Sequence, residues 1–282
     1  MASQPAPSQD PTLHKPRILC LHGGGTNALI FRAQCRSLSR ALAPHFRLVY
    51  AEAPYPSIAG PDVLSVYADC GPFKRWLRWL PEHEPPEDDA SAIRDIDAAL
   101  DAAMSEDDAR GADGEWAGLL GFSQGAKMVA SLLFRQQVLS EQKQKPGPSQ
   151  TGGYGTQAKN LKARWRFAVP MAGRSPLVLL TDPAVFSSPL LSNPSQVGLA
   201  ATPDLMEVSR GRHVLRLPTI HVHGLADPGY HLHRELLEIY CDPATARLVE
   251  WDGAHRVPLK TEDVQPLVDE ILDVARETGV LD

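Results

Sequence analysis

The stretch WAGLLGFSQGAKMVASLLF, residues 116–134, places a serine between two glycines at the junction of two patterns. Its apolar first part has the length and composition of a buried strand, and the part after Gly125 has apolar residues at helical spacing. Side chains at Gly121 or Gly125 would collide with neighbouring backbone in such a turn, a nucleophile elbow, which exposes the serine at a helix N-terminus. We therefore interpret Ser123 as a candidate nucleophile; the alternative is a tight glycine turn with a solvent-exposed serine.

Five further apolar runs resemble the first part of this stretch, and longer helical patterns separate them. The strands predicted in this way are 17–22, 46–53, 116–122, 166–172, 219–224 and 247–253. The predicted helices are 29–42, 91–104, 124–138, 230–240 and 262–277. This alternation predicts an α/β fold, a doubly wound and mainly parallel sheet of about six strands with helices on both faces.

Segments outside this alternation define the expected domain organisation. The polar, proline-rich residues 1–15 predict a disordered leader, and 16–282 are expected to form a single domain. Residues 54–90 and 173–213 follow strand ends, so we expect them to supply cap or pocket walls above the carboxyl edge of the sheet. The low-complexity stretch 141–160 predicts a surface insertion.

A serine nucleophile needs a base and an acid, and both candidates lie at predicted strand ends downstream of Ser123. Asp227 follows the strand in TIHVHGLADPGY, and His255 follows the strand in RLVEWDGAHRVP. The order Ser, Asp, His is that of serine hydrolases built on this kind of sheet. Asp252 is the rival acid, although it lies only three residues before His255. The alternative interpretation is a surface histidine and a turn-forming aspartate.

The same chemistry needs two N–H donors for a developing oxyanion. The residue after the nucleophile, Gln124, supplies one candidate main-chain N–H. The glycine-rich loop in LCLHGGGTN, residues 19–27, supplies the other, with Gly24 as first choice and Gly25 as second. His22 is expected to order this loop. A phosphate cradle is the alternative, but the loop lacks both the dinucleotide-binding spacing and the Walker lysine.

Two weaker patterns concern histidines and tryptophans. His221 and His223 form one H-x-H pair, and His231 and His233 form a second. No carboxylate completes a ligand set at convincing spacing, so we predict hydrogen-bonded strand and surface histidines, no metal site and no cofactor.

The segment FKRWLRWL has helical spacing at Trp76, Trp79 and Leu80. Such a stripe is either packed in the core or offers an apolar wall to a substrate pocket. We name these three residues as pocket candidates.

Composition excludes several classes of function. Acidic residues outnumber basic ones by 34 to 28, which argues against a nucleic-acid or anionic-membrane partner. The four cysteines stand singly, which is typical of reduced thiols. No apolar run is long enough for a bilayer span and no signal-peptide pattern is visible, so we expect a cytoplasmic protein. The oligomeric state is not indicated.

Several of these blocks together resemble a known family. LCLHGGGTN, YAEAP, GPDVLSVYADCGPFKRWLRW, LLGFSQGAKM, HVHGLADP and DGAHRVP are similar to the fungal serine hydrolase group of α/β-hydrolases, and within it to the lovastatin-pathway esterase type. The resemblance runs in order from about residue 16 to 275. It implies an α/β-hydrolase fold with Ser123 as nucleophile, Asp227 as acid and His255 as base.

The resemblance also implies a substrate class. Members of that branch are thioesterases that release a finished polyketide from the acyl carrier domain of its synthase, so transient contact with such a domain is expected. The residues alone predict only a serine hydrolase; with the resemblance, we expect a serine esterase or thioesterase acting on an acyl ester or thioester. A broad carboxylesterase and a non-catalytic binding module on the same fold are the alternatives.

Overall fold

The centre of the molecule is a parallel sheet. The computed structural model describes residues 10–144, 159–196 and 211–282. The strands in these ranges are β1 (Arg17–Leu21), β2 (Arg47–Ala51), β3 (Tyr55–Ser57), β4 (Phe73–Arg75), β5 (Trp116–Phe122), β6 (Phe167–Met171), β7 (Thr219–Gly224) and β8 (Ala246–Trp251). Six of them form one sheet in the order β2-β1-β5-β6-β7-β8, with every neighbouring pair parallel. The predicted fold class is confirmed, and all six predicted strands are present.

Both faces of this sheet are covered, which explains why its strands are apolar almost without interruption. Along β1, Leu19 and Leu21 pack into one core cluster, whereas Ile18 and Cys20 pack into the other. Alternate residues of a strand point to opposite faces, so a strand buried on both sides needs apolar residues at every position.

Eight α-helices and one 3₁₀ helix (Ala68–Cys70) lie in the described ranges. The α-helices are α1 (Ala28–Gln34), α2 (Arg36–Leu42), α3 (Leu64–Tyr67), α4 (Asp89–Ala109), α5 (Gln124–Lys143), α6 (Lys159–Lys162), α7 (Tyr230–Tyr240) and α8 (Thr261–Glu277). Helices α4, α5 and α7 contribute to one core cluster, and α1, α2 and α8 contribute to the other. The single helix predicted over 29–42 is divided at the buried Cys35, so Phe31 and Leu38 both reach the second cluster.

The segment 54–90 departs most from its sequence pattern. Strands β3 and β4 pair in antiparallel fashion, and Thr26 forms an isolated antiparallel bridge with Lys74 of β4. FKRWLRWL is not a helix despite its helical spacing, because Phe73–Arg75 is a strand and the residues that follow it are irregular.

The predicted leader is too long at its C-terminal end. Arg47 Nη1 donates to Asp10 at 2.6 Å, and Lys15 Nζ donates to the carbonyl oxygen of Ala43 at 2.6 Å. These bonds anchor the end of the leader beside β2. The rest of it, residues 1–9, lies outside the described residues.

Two other predicted segments lie partly outside the described residues, at 145–158 and 197–210. Around the first of these gaps, α5 continues to Lys143 and α6 begins at Lys159. Before the second gap, residues 177–180 are buried in the core cluster that contains α5. Two predictions therefore stay predictions: that a single domain extends over residues 16–282, and that residues 173–213 form part of a cap. Among the described helices, we find none with the length and apolar character that crossing a membrane requires.

Candidate active site

The turn between β5 and α5 holds Ser123 in a conformation that side chains rarely adopt. Ser123 has φ 53° and ψ −113°. A Cβ on Gly121 would lie 2.2 Å from the carbonyl oxygen of Gly125, and one on Gly125 would lie 2.0 Å from that of Leu21. Both glycines are therefore required by the close approach of the helix to the strands, as the motif predicts.

Ser123, His255 and Asp227 form a continuous chain of polar contacts at the carboxyl edge of the sheet. Ser123 Oγ lies 3.0 Å from His255 Nε2, and His255 Nδ1 lies 2.6 Å from Asp227 Oδ2. An ionised carboxylate only accepts hydrogen bonds, so Nδ1 carries the proton and Nε2 presents its lone pair to the serine. The sequence-predicted side chains are thus brought together although 132 positions separate the serine from the histidine.

Asp227 is held in its ionised form. Burial alone raises its pKa, but the main-chain N–H of Gly229, which donates to Oδ1 at 2.7 Å, and the neighbouring His255 together lower the pKa below its usual value. The side chain of Asp227 is fully buried, whereas His255 is 32% exposed. The rival acid Asp252 is exposed, and the described residues show no hydrogen bond between it and His255.

The glycine loop after β1 approaches the elbow closely. A Cβ on Gly23 would lie 3.4 Å from that of Ser123, and one on Gly24 would lie 3.3 Å from the side-chain amide of Gln124. The N–H of Gly25 donates to the carbonyl oxygen of Lys74 at 2.9 Å, which removes it as a free donor. Within the described ranges the N–H groups of Gly24 and Gln124 have no acceptor, so they stay the candidate pair.

His22 orders this loop as predicted. Its Nδ1–H donates to the carbonyl oxygen of Gly23 at 2.8 Å, and its Nε2 accepts from the N–H of Ala53 at 3.1 Å. The ring is completely buried and so fixes the exit of β1 against the exit of β2.

The side chain of Gln124 has a role that sequence reasoning missed. Its Oε1 accepts from the N–H groups of Trp76 at 2.7 Å and Leu77 at 3.1 Å, and its Nε2 donates to the carbonyl oxygen of Leu77 at 3.0 Å. Three hydrogen bonds therefore clamp the segment after β4 onto the elbow. No local sequence pattern indicates these contacts, because Gln124 is 48 positions from Trp76 and 47 positions from Leu77.

We expect Gln124→Ala to lower the free energy of unfolding by about 2–4 kcal/mol, because two main-chain N–H groups lose their acceptor. Urea unfolding measures the loss, and hydrogen exchange should locate it at the amides of Trp76 and Leu77. Gln265→Ala is the control, because that side chain lies on the surface of α8 and bonds only Asp269. Unchanged protection of the two amides in Gln124→Ala would contradict the clamp.

The three pocket candidates differ in their surroundings. Trp76 is completely buried and its Nε1–H donates to the carbonyl oxygen of His22 at 3.0 Å, so it supports the glycine loop and offers no surface to a ligand. Its place in a pocket wall is therefore a wrong prediction. Trp79 and Leu80 are half-buried and stay candidates.

The predicted hydrogen bonding of the histidine pairs is also wrong in part. His221, His223 and His233 are buried, and within the described residues both ring nitrogens of His223 and His233 have no partner. Burial lowers the pKa of His221 and His223 to about 3 and that of His233 to about 4. His231 is exposed.

A parallel sheet of this order, with a serine on a strand-to-helix turn and an aspartate and a histidine at later strand ends, defines the α/β-hydrolase class. The fold of the maize (Zea mays) acyl-protein thioesterase 2 agrees, with a TM-score of 0.50 at 17% identity over 94% of this chain and 95% of that one.

Sequence comparison then narrows the class to a family. Residues 11–267 match the serine hydrolase family FSH1, and this chain belongs to that family. It is 58% identical to the esterase pigG of Monascus ruber, over 97% of this chain and 96% of that protein. It is 52% identical to the esterase GME11355 of Pestalotiopsis microspora, over 96% of each chain. The predicted resemblance to fungal serine hydrolases and the predicted enzyme class, a serine hydrolase of the esterase type, are confirmed.

Proposed function

We propose that Ser123, His255 and Asp227 are the nucleophile, base and orienting acid of an esterase or thioesterase. The observation that carries this proposal is the unbroken contact chain from Ser123 Oγ through the imidazole of His255 to the buried carboxylate of Asp227. A hydroxyl at its ordinary pKa is a poor nucleophile, and this arrangement is one that activates it.

The reaction proceeds in two halves. Ser123 Oγ attacks the acyl carbonyl while its proton passes to His255 Nε2, and the carboxylate of Asp227 stabilises the imidazolium that forms. Collapse of the tetrahedral intermediate expels the alcohol or the thiolate, and the proton on His255 passes to that leaving group. A thiolate leaves more readily than an alkoxide because a thiol is the stronger acid. A water molecule deprotonated by His255 then attacks the acyl-serine, and the free acid leaves with Ser123 regenerated.

The negative oxygen of the tetrahedral intermediate needs donors that are already in place. The free N–H of Gln124 begins α5, so the helix dipole adds to its attraction for an anion. Gly24 faces the same side chain from the loop after β1. The bond from Gly25 to Lys74 fixes that loop, so little reorganisation is needed during the reaction.

The surface around this edge favours an apolar acyl group. The most exposed large apolar side chains among the described residues, here called the apolar rim, are Leu29, Ile58, Leu64, Val66, Leu225 and Leu259. Leu29, Leu225 and Leu259 lie in the segments that follow β1, β7 and β8. Ile58, Leu64 and Val66 lie between β3 and β4, in the segment inserted after β2. Exposed apolar side chains grouped around a candidate site are typical of ligand recognition.

Within this function, we propose release of a polyketide acyl group from the thioester of an acyl carrier domain. The resemblance to the lovastatin-pathway type and the apolar rim support this substrate. The second candidate, a carboxylesterase for small esters, is favoured by the relatives named esterases.

The nucleophile is tested by intact-mass spectrometry after treatment with a fluorophosphonate. We expect one adduct on the wild type and none on Ser123→Ala, because only a serine with an adjacent base is activated. A folded wild type that takes no adduct would overturn the proposed mechanism and favour a binding module.

The substrate is tested by comparing kcat/KM for an acyl pantetheine thioester, the same group on a carrier domain, and p-nitrophenyl acetate. An apolar acyl group that fills the rim should gain about tenfold or more over acetyl. A preference for p-nitrophenyl acetate would favour the small-ester carboxylesterase.

A further inference from the structure

Four imidazole rings form a row behind the candidate active site. The ring centroids of His221 and His223 lie 6.0 Å apart, those of His223 and His233 lie 5.5 Å apart, and those of His233 and His255 lie 6.2 Å apart. The row therefore leads from the interior of β7 to the candidate base. The proposed hydrolysis uses only its last member.

His233 is the unexplained member of this row. It begins the second turn of α7 and its side chain is fully buried. Neither ring nitrogen has a hydrogen-bond partner among the described residues. A buried polar atom without a hydrogen-bond partner destabilises a fold unless a ligand satisfies it. Its Nε2 lies 3.7 Å from Asp227 Oδ2, too far for a hydrogen bond and close enough to share a ligand.

Three ligand atoms converge at this point. One candidate ligand atom from each of Asp227, His233 and His255 lies within 4.8 Å of the other two. Asp227 Oδ2 is 2.6 Å from His255 Nδ1 and 3.7 Å from His233 Nε2. A tetrahedral Zn²⁺ binds such atoms at about 2.0–2.2 Å, which places them about 3.3–3.6 Å apart. Asp227 Oδ2 and His255 Nδ1, which are 2.6 Å apart in their hydrogen bond, therefore move apart when the metal replaces the proton between them. Two imidazoles, one carboxylate and a water form a ligand set that suits zinc, whereas Mg²⁺ and Ca²⁺ prefer oxygen alone.

We propose that Asp227, His233 and His255 form a Zn²⁺ site whose occupation switches the hydrolase off. The inhibition rests on the proposed function, because it requires His255 to be the base. The binding of zinc does not, because it requires only the three ligand atoms.

The inhibition follows from which nitrogen carries the proton. Zinc needs the lone pair of His255 Nδ1, so the Nδ1 proton passes to water while Nε2 takes up a proton from water, and the neutral ring then carries its hydrogen on Nε2. The N–H then faces Ser123 Oγ and has no lone pair to accept the serine proton. The net protonation of the ring is unchanged, and no covalent bond to substrate is formed or broken.

The test uses the full chain freed of metal with EDTA and then titrated with Zn²⁺. Hydrolysis of a p-nitrophenyl ester is one measurement, and zinc bound per chain, from competition with a chromophoric chelator, is the other. Each variant is normalised to its own activity in EDTA. The pair to compare is His233→Phe, which removes one ligand, and His231→Phe, which alters an exposed histidine on the same helix.

We expect zinc to inhibit the wild type and His231→Phe at the same concentration. His233→Phe should need about 10–100-fold more zinc, the loss in affinity typical of a damaged metal site. Equal inhibition of His233→Phe and the wild type would overturn the proposal. So would a wild type that is not inhibited by about 100 µM Zn²⁺, because this concentration is far above the dissociation constant expected for a site with three protein ligands.

Ser123→Ala keeps all three ligands and provides a test that needs no activity. It should bind one zinc per chain as tightly as the wild type, and failure of both to bind would overturn the site. The two proposals fail separately. Turnover retained by Ser123→Ala contradicts the nucleophile, and absence of bound zinc contradicts the metal site.

Discussion

Ser123→Ala is expected to lower kcat by about 10⁴- to 10⁶-fold, because the variant lacks the atom that attacks the acyl carbon. The same change should alter the free energy of unfolding by less than about 1 kcal/mol. The hydroxyl contacts His255 alone among the described residues, and alanine meets the same backbone strain at φ 53° as serine does.

Steady-state hydrolysis of a p-nitrophenyl ester and urea unfolding measure the two effects. Ser131→Ala is the matched control, since Ser131 lies on the helix that follows the nucleophile and is buried. Its Oγ donates to the carbonyl oxygen of Lys127 at 2.7 Å and accepts from the N–H of Val178 at 2.9 Å. That variant should lose about 1–3 kcal/mol of stability and keep its nucleophile. A Ser123→Ala enzyme with residual kcat near that of Ser131→Ala would contradict the proposed mechanism.

The sheet was predictable because its strands are buried on both faces. Burial on both sides requires apolar residues at every position, as in β5, and that run is visible without any partner strand. The elbow was predictable for a related reason. A Cβ atom added at Gly121 or Gly125 would lie within 2.2 Å of backbone atoms, so only glycine fits at either position. The two glycines of the motif therefore indicate the local structure around the serine.

The conformation of the segment after β4 could not be predicted from its own residues, because contacts with a distant part of the chain determine it. Trp76, Trp79 and Leu80 have helical spacing, but the N–H groups of Trp76 and Leu77 are taken by the side chain of Gln124. Hydrogen bonds between distant residues override local helix propensity, and the spacing of apolar residues does not indicate such bonds.

The histidines show the same limit for a candidate site. His221 and His223 share the H-x-H spacing of ordinary strand residues, and His233 follows His231 in a helix. His233 comes to within 3.7 Å of Asp227 because α7 begins just after the Asp227 turn and packs against β7. The acid and the base could be predicted because their order and their positions at strand ends are general features of this class. No such feature predicts the position of His233.

Asp227→Asn is expected to lower kcat by about 10⁴-fold while the fold is kept. The asparagine carbonyl oxygen can still accept the N–H of Gly229, which leaves the amide NH₂ facing His255 Nδ1. That NH₂ donates to the ring, so the imidazole proton moves to Nε2. The ring then has no lone pair for the proton of Ser123, and the nucleophile loses its base.

Asp252→Asn is the matched control, because the two aspartates were the rival acids in the sequence and only one contacts His255. Asp252 is exposed in the same turn as the histidine, so its replacement should leave kcat within about twofold of the wild type, as expected for a surface change that breaks no buried contact. Burst kinetics with a p-nitrophenyl ester separate acylation from deacylation, and Asp227→Asn should slow both, because His255 acts as base in each half. If Asp252→Asn lost activity and Asp227→Asn kept it, the carboxylate at 2.6 Å would not be the acid that orients His255.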